Sequence, residues 1–275
     1  MVARPDPAPS SRTSPRTSHC SGTTLFTKSA AFYDAIYSWK DYPAEAEKIH
    51  AIVAERAPAA QTLLDVACGT GLHLALLRES YTVEGVDLEP GLLEVARSRL
   101  PKVPLHLGDM RTFNLGRQFD VVTCLFSSIG YMQTPEDLLH ALANMAGHLA
   151  PDGVMLVEPW LSADRFDPNH QPRPMVAEGD GFSVVRMNDS RVEGRFSIMR
   201  FHYLVGRPNS VDHFVEEHSL GLYSEEEYAA AFAAAGLDAD LDPEGLMGRG
   251  LWIARHAVSQ SENRTGLGPE VYRPT

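Results

Sequence analysis

Five stretches of the 275-residue chain are apolar over strand length: Leu63–Ala67, Val83–Asp87, Val103–Leu107, Phe119–Phe126 and Val154–Glu158. The first is too continuous for a half-exposed strand, so it is expected to be buried on both faces. Helical spacing separates the five. Leu72, Ala75 and Leu76 repeat at that spacing after the first strand, and Pro90-Gly91 opens a helix after the second. Between the fourth and fifth, Thr134 to Leu149 has a capping threonine and Glu136 and Asp137 at its positive end. Leu138, Leu139, Leu142, Met145 and Leu149 form its buried stripe. Upstream, Ala30 to Tyr37 has apolar and aromatic residues at i, i+3 and i+4, and a further helix runs from about Pro43 to Arg56. Strands alternating with helices predict an α/β fold with a parallel sheet.

The alternation is interrupted after the fifth strand. The next helix, Glu225 to Ala235, is delayed by more than sixty residues, and the gap contains alternating segments at Phe182–Arg191, Phe196–Leu204 and Val211–Leu222. These predict three antiparallel strands forming a small sheet over the carboxyl edge of the parallel one, as an acceptor-binding lid. Leu237–Leu241 and Leu251–Ala257 then pair as the closing antiparallel strands. The expected organisation is one domain over 25–160 and 223–258, an inserted sheet over 161–222, and disordered tails at 1–24 and 259–275, where Ser, Pro and Thr replace bulky apolar residues or periodicity is lost.

The first strand runs directly into Asp65-Val66-Ala67-Cys68-Gly69-Thr70-Gly71, a glycine turn of the kind that lets a ligand approach the backbone. Leu74 occupies the place of the third small residue of a dinucleotide fingerprint, and no phosphate-loop motif occurs in the chain. What remains resembles the glycine loop of S-adenosylmethionine (SAM)-dependent methyltransferases with a Rossmann-like fold. Asp87 ends the second strand 22 residues beyond Asp65, where a carboxylate can accept both ribose hydroxyls. The resemblance implies that Asp109, after the third strand, bonds the adenine amino group while Met110 lies on the ring.

Composition narrows the partners. Asp and Glu outnumber Lys and Arg by 36 to 24, giving a net charge of −12 that repels phosphate backbones and argues against nucleic acid. Without an apolar run of about 18 residues or a signal-peptide core, a membrane partner is not expected and the chain reads as cytoplasmic. Cys20, Cys68 and Cys124 lack ligand or disulfide spacing, so neither a metal nor a disulfide framework is expected.

A narrower resemblance rests on Phe32-Tyr33-Asp34, Lys40-Asp41-Tyr42, the glycine loop, Gly108-Asp109-Met110-Arg111, Phe126-Ser127-Ser128-Ile129-Gly130-Tyr131, Val157-Glu158-Pro159-Trp160 and Gly248-Arg249-Gly250-Leu251. Together they resemble the deoxyamino-sugar N,N-dimethyltransferases of macrolide antibiotic pathways. This family implies a class I SAM methyltransferase fold, with a seven-stranded, mostly parallel sheet and an inserted antiparallel one. It implies SAM as cofactor, no metal, a dTDP-linked amino sugar as acceptor, and leaves a homodimer open. Carried over by position, Tyr33, Tyr42, Ala67, Gly69, Gly71, Asp87, Leu88, Asp109, Met110 and Phe126 would hold the cofactor. Tyr33, Tyr131 and Arg249 would face the acceptor, Arg249 as a cation for phosphate. Tyr131 or His202 would accept the amine proton, although the inserted histidines His202, His213 and His218 also suit plain strand positions. Leu161 and Ser162 depart from the family, which often keeps a second Trp after Pro159-Trp160. Methylation of another small acceptor at O or N, and SAM binding without catalysis, are the competing readings.

Overall fold

The computed structural model describes Phe26 and residues 28–258, so the predicted tails, with Cys20, lie outside the described residues. The chain enters through a short 3-10 turn, Ala30–Phe32, and a single helical turn, α1 (Tyr33–Ile36), followed by α2 (Tyr42–Arg56). Asp41 caps α2 by accepting the Ala44 N–H at 3.0 Å, and Pro43 stands in its first turn, where its missing N–H costs nothing. Strands and helices then alternate: β1 (Thr62–Val66), α3 (Leu72–Leu77), β2 (Thr82–Asp87), α4 (Pro90–Arg99), β3 (Leu105–Leu107), β4 (Phe119–Cys124), α5 (Pro135–Gly147) and β5 (Leu149–Val157).

After β5 come β6 (Met175–Gly179), β7 (Phe182–Glu193), β8 (Phe196–Arg207) and β9 (Ser210–Gly221). The chain closes with α6 (Glu225–Ala234), β10 (Leu237–Asp242) and β11 (Leu251–His256). The large sheet has the order β10-β11-β5-β4-β1-β2-β3, with β11 antiparallel to both of its neighbours and the pairs among β1 to β5 parallel. This is the Rossmann-like, mostly parallel seven-stranded sheet that the sequence predicts. Both faces of β1 are buried, as its unbroken apolar run requires. Leu63 packs with Ile49, Leu74 and Leu93 of the helices on one side, and Leu64 and Val66 pack with Leu138, Leu142 and Phe232 on the other.

Two elements differ from the sequence expectation. The second sheet has four strands, β6-β7-β8-β9, because Met175–Gly179 pairs antiparallel with β7. That strand is short and half-exposed, so it carries no apolar run to betray it. The fifth strand begins earlier, at Leu149, and Pro151-Asp152-Gly153 is a bulge within it instead of a separating turn. The register slips there, from Phe119 opposite Leu149 to Val121 opposite Val154. The second sheet is anchored from below. Val184, Tyr203 and Val205 enclose Phe32 and Ile36, which fixes the N-terminal turns beneath it.

Asp65 is the one charged residue of β1, is 2% exposed, and accepts the Thr123 hydroxyl at 2.7 Å. Burial pushes its carboxyl up to about 6, above the roughly 3.9 of an unfolded aspartate. Keeping it ionised in the fold therefore carries no penalty below about pH 4 and the whole penalty above pH 6, so stability is lost as pH rises through that window. Asp65→Asn retains an oxygen for Thr123 and removes this penalty. The variant should gain about 2–3 kcal/mol at pH 7.5 and close to nothing at pH 4. Denaturant midpoints shifted equally at the two pH values would contradict the account.

Candidate active site

The strand order reverses between β1 and β4: the chain winds from β1 outward to β2 and β3, then crosses back to β4 and β5. A crevice opens at the carboxyl ends of such a pair. Among the described residues, the three non-glycine residues with positive φ all stand there, Ala67 after β1 and Phe126 and Ser127 after β4. Such backbone costs energy and persists only where its surroundings hold it. Here they do. The Phe126 N–H donates to Glu158 Oε2 at 2.7 Å, and Ser127 Oγ donates to the Pro159 carbonyl at 2.7 Å.

A cavity of about 870 Å³ opens at this crevice and extends under the second sheet. Ala67, Gly69, Asp87, Leu88, Asp109 and Met110 line one side of it. Gly69 has φ +57°, and nothing lies within 4 Å of where its side chain would be, so the loop backbone is open to a ligand. Asp87 is 7% exposed; its Oδ2 accepts the Gly69 N–H at 2.7 Å and its Oδ1 the Glu89 N–H at 2.8 Å. Backbone N–H bonds to both oxygens orient the carboxylate, which still presents acceptor lone pairs to a ligand hydroxyl. Burial raises its pKa, and the backbone N–H bonds work against that rise. Asp109 is gripped by the Arg111 guanidinium, with Nη2 to Oδ2 at 2.6 Å and Nε to Oδ1 at 3.0 Å, and this bond holds its carboxyl below the usual range. An open glycine, an oriented carboxylate and a fixed second carboxylate next to Met110 suit the nucleoside and amino-acid parts of SAM.

Tyr33, Phe126, Tyr131, Trp160 and Arg249 line the other side. The Arg249 guanidinium lies 5.0 Å from the Trp160 ring and 5.6 Å from Phe126, and its Nη1 donates to Ser127 Oγ at 3.1 Å. It belongs to no ion pair among the described residues. Glu158, fully buried near it, has its pKa raised by burial and lowered in part by Arg249.

Three residues expected at the site are placed elsewhere. Gly71 faces away from the cavity: its missing side chain gives room to Leu100 and Ala96 of the α4 region, so it serves packing. Tyr42 stands behind the wall, its ring 4.9 Å from that of His73 and under the Lys40 ammonium, which is itself paired with buried Glu45. His202 is removed from the cavity because side chains alternate along β8. Met199, Phe201 and Tyr203 point inward, whereas His202 points outward to Asp189 at 3.0 Å and stacks on His213.

Two other histidines line the cavity, His170 and the buried His218, which lies opposite Met199 in the β8–β9 register. Arg186, which no motif in the sequence marks, lines the cavity as well. It is 7% exposed, donates to the Tyr37 hydroxyl at 2.8 Å, lies over Phe201, and is in no ion pair among the described residues. A basic residue inside an alternating strand was the available signal.

Comparison with known proteins agrees with this arrangement. Residues 63–153 match the family model described as a methyltransferase domain. Over 227 residues the chain is 44% identical to the dTDP-3-amino-3,6-dideoxy-alpha-D-glucopyranose N,N-dimethyltransferase of Streptomyces fradiae, covering 81% of this chain and 89% of that protein. The crystal structure of Streptomyces venezuelae DesVI superposes with a TM-score of 0.79 at 42% identity, covering 84% of this chain and 99% of that one. The SAM-bound structure of CalS10, an amino pentose methyltransferase from Micromonospora echinaspora, gives 0.74 at 39% identity, covering 82% and 97%. The fold, the glycine loop with its two carboxylates and this similarity over most of both chains place the protein among the SAM-dependent sugar N-methyltransferases, in the family of the dTDP-amino-sugar N,N-dimethyltransferases.

Proposed function

We propose that this enzyme methylates the amino group of a dTDP-linked deoxyamino sugar. The observation that carries the reading is that one cavity is lined both by Gly69, Asp87 and Asp109 and by Tyr131, Trp160 and Arg249. Two ligands held by these two sets of residues would meet between β1 and β4. SAM, when bound, supplies a methyl group on a sulfonium as the electrophile. Gly69 and Ala67 hold its amino-acid part through backbone, Asp87 the ribose and Asp109 the adenine. Leu88, Met110 and Phe126 give apolar contact. Tyr33, whose ring lies 4.6 Å from that of Tyr37, belongs to the wall where the two ligands meet.

The acceptor side is left to place a nucleophile. An amine is competent once neutral, so alignment supplies most of the advantage and a strong base is unnecessary. Burial holds the Tyr131 phenol well above its ordinary pKa, so it stays protonated at neutral pH and works through a hydrogen bond, not as phenolate. Arg249 and Arg186, which both line the cavity, supply cations for a diphosphate. The outer face of the second sheet leaves Val176, Met187, Leu204, Val211 and Val215 exposed, and self-association is proposed there. A monomer in sedimentation velocity at tens of micromolar would remove that part.

The reaction is tested by incubating the protein with SAM, a panel of dTDP-amino sugars and their hydroxyl analogues, and following product mass. One and then two methyl groups should appear on an amine and none on the hydroxyl analogue. Methylation of the hydroxyl alone would instead favour an O-methyltransferase. A crossed pair of variants separates the two sides. Asp87→Ala should weaken SAM by about 1–3 kcal/mol in calorimetry, the cost of unpaired hydroxyls in a closed site. Arg249→Ala should raise KM for the nucleotide sugar far more than for SAM, since a phosphate contact exists in ground and transition states alike. Equal effects of Arg249→Ala on both substrates would contradict its assigned role.

A further inference from the structure

Tyr131 is hydrogen-bonded to a buried histidine in the cavity wall. The Tyr131 hydroxyl lies 2.7 Å from His218 Nδ1, a short and direct hydrogen bond between the turn after β4 and strand β9. His218 is 1% exposed, and its ring is boxed by Phe26 at 4.9 Å and Phe201 at 5.1 Å. Its other nitrogen, Nε2, is buried without a hydrogen-bond partner. A buried polar atom left unsatisfied costs about 1–3 kcal/mol. A phenylalanine would fill the same aromatic box without that cost, so the imidazole is explained by the bond that Nδ1 makes.

The direction of that bond follows from the surroundings. Aromatic faces are negative and attract an N–H while repelling a lone pair, so the box of Phe26 and Phe201 favours the proton on Nε2. Nδ1 then presents a lone pair, and the Tyr131 O–H donates to it. With its proton committed, the Tyr131 oxygen has only lone pairs left for the cavity. We propose that His218 is a positioning residue that fixes the Tyr131 hydroxyl so that its oxygen accepts an N–H of the acceptor amine. This rests on the amine-methylation reading above.

A proton relay through the pair is the rival, and magnitude decides against it. Burial lowers His218 to about 4, and the Arg186 cation acts in the same direction. An amine with an ordinary pKa of about 8 would have to give up its proton against about four units to charge this ring. The imidazole therefore stays neutral and serves as a fixed acceptor.

The test is a double-mutant cycle on the enzyme with SAM and the amino sugar it methylates. Tyr131→Phe and His218→Phe should each lower kcat/KM for the acceptor about tenfold, roughly the worth of one hydrogen bond. The double variant should lose no more than either alone. His218→Asn, whose Oδ1 can accept the same O–H, should recover to within about threefold of the wild type. SAM affinity in calorimetry should be unchanged in all. Losses that multiply to about a hundredfold, or a His218→Phe enzyme with wild-type kcat/KM, would overturn the proposal.

Nitrogen-15 NMR of the imidazoles gives a readout that needs no acceptor. The His218 signals, identified by their loss in His218→Asn, should report a neutral ring protonated on Nε2 at pH 7, with Nδ1 shifting in Tyr131→Phe. An imidazolium, or a proton on Nδ1, would also overturn it. If the wild type methylates no amine of the panel, the substrate reading fails, and the kinetic half of this proposal falls with it while NMR still decides the hydrogen bond.

Discussion

Everything at the site depends on β1 being hydrogen-bonded on both sides, to β2 on one edge and to β4 on the other. That pairing forces the chain to leave β1 and β4 in divergent directions, and the crevice between them is the consequence. It also fixes the distance between the glycine loop and the end of β2. The Gly69 N–H reaches the Asp87 carboxylate only because β1 and β2 end side by side, with Val66 opposite Val86. The strained backbone at Ala67, Phe126 and Ser127 is the local expression of the same constraint.

The second sheet turns an open crevice into an enclosed site. Its inward residues alternate with outward ones, so a single strand contributes both to the cavity wall and to the exposed face: Phe201 and Tyr203 inward, His202 and Leu204 outward. Phe32 and Ile36 pack against Val184, Tyr203 and Val205, so the N-terminal turns and the sheet form one roof. A strap joins this roof to the glycine loop. Thr70 Oγ1 donates to Asp34 Oδ1 at 2.6 Å, and the Arg99 guanidinium bonds both Asp34 and the Thr70 carbonyl. Cofactor loop and roof are therefore held as one piece, which suits a reaction whose main demand is alignment.

The chemistry visible in the walls is correspondingly plain. Buried phenols stay protonated and the buried histidine stays neutral, while Arg186 and Arg249 face the cavity in no ion pair among the described residues and Arg111 is committed to Asp109 and Asp137. These groups bind and orient. Among the described residues no cluster of His, Cys, Asp or Glu could hold a metal ion, and the placement argument needs none.

The sequence by itself determined whatever depends on local spacing. Unbroken apolar runs specify strands buried on both faces, and Gly69 and Asp87 are legible because a ligand-binding turn and a carboxylate at a strand end are local features. Tertiary packing decided the rest. Gly71 and Tyr42 sit in the same motifs as true cavity residues, yet neither lines the cavity: Gly71 packs against Leu100 and Ala96, and the Tyr42 ring against His73. His202 and His218 are equally plausible in sequence, and only strand register tells which faces inward, since a shift of one residue reverses every side chain. Strand β6 exists because β7 offers an edge to pair with, and Arg186 faces the cavity because Tyr37 and Phe201 receive its guanidinium there. Apart from the β6–β7 hairpin, whose strands are joined by Asp180-Gly181, each of these is a relation between segments distant in the chain, which no local pattern encodes.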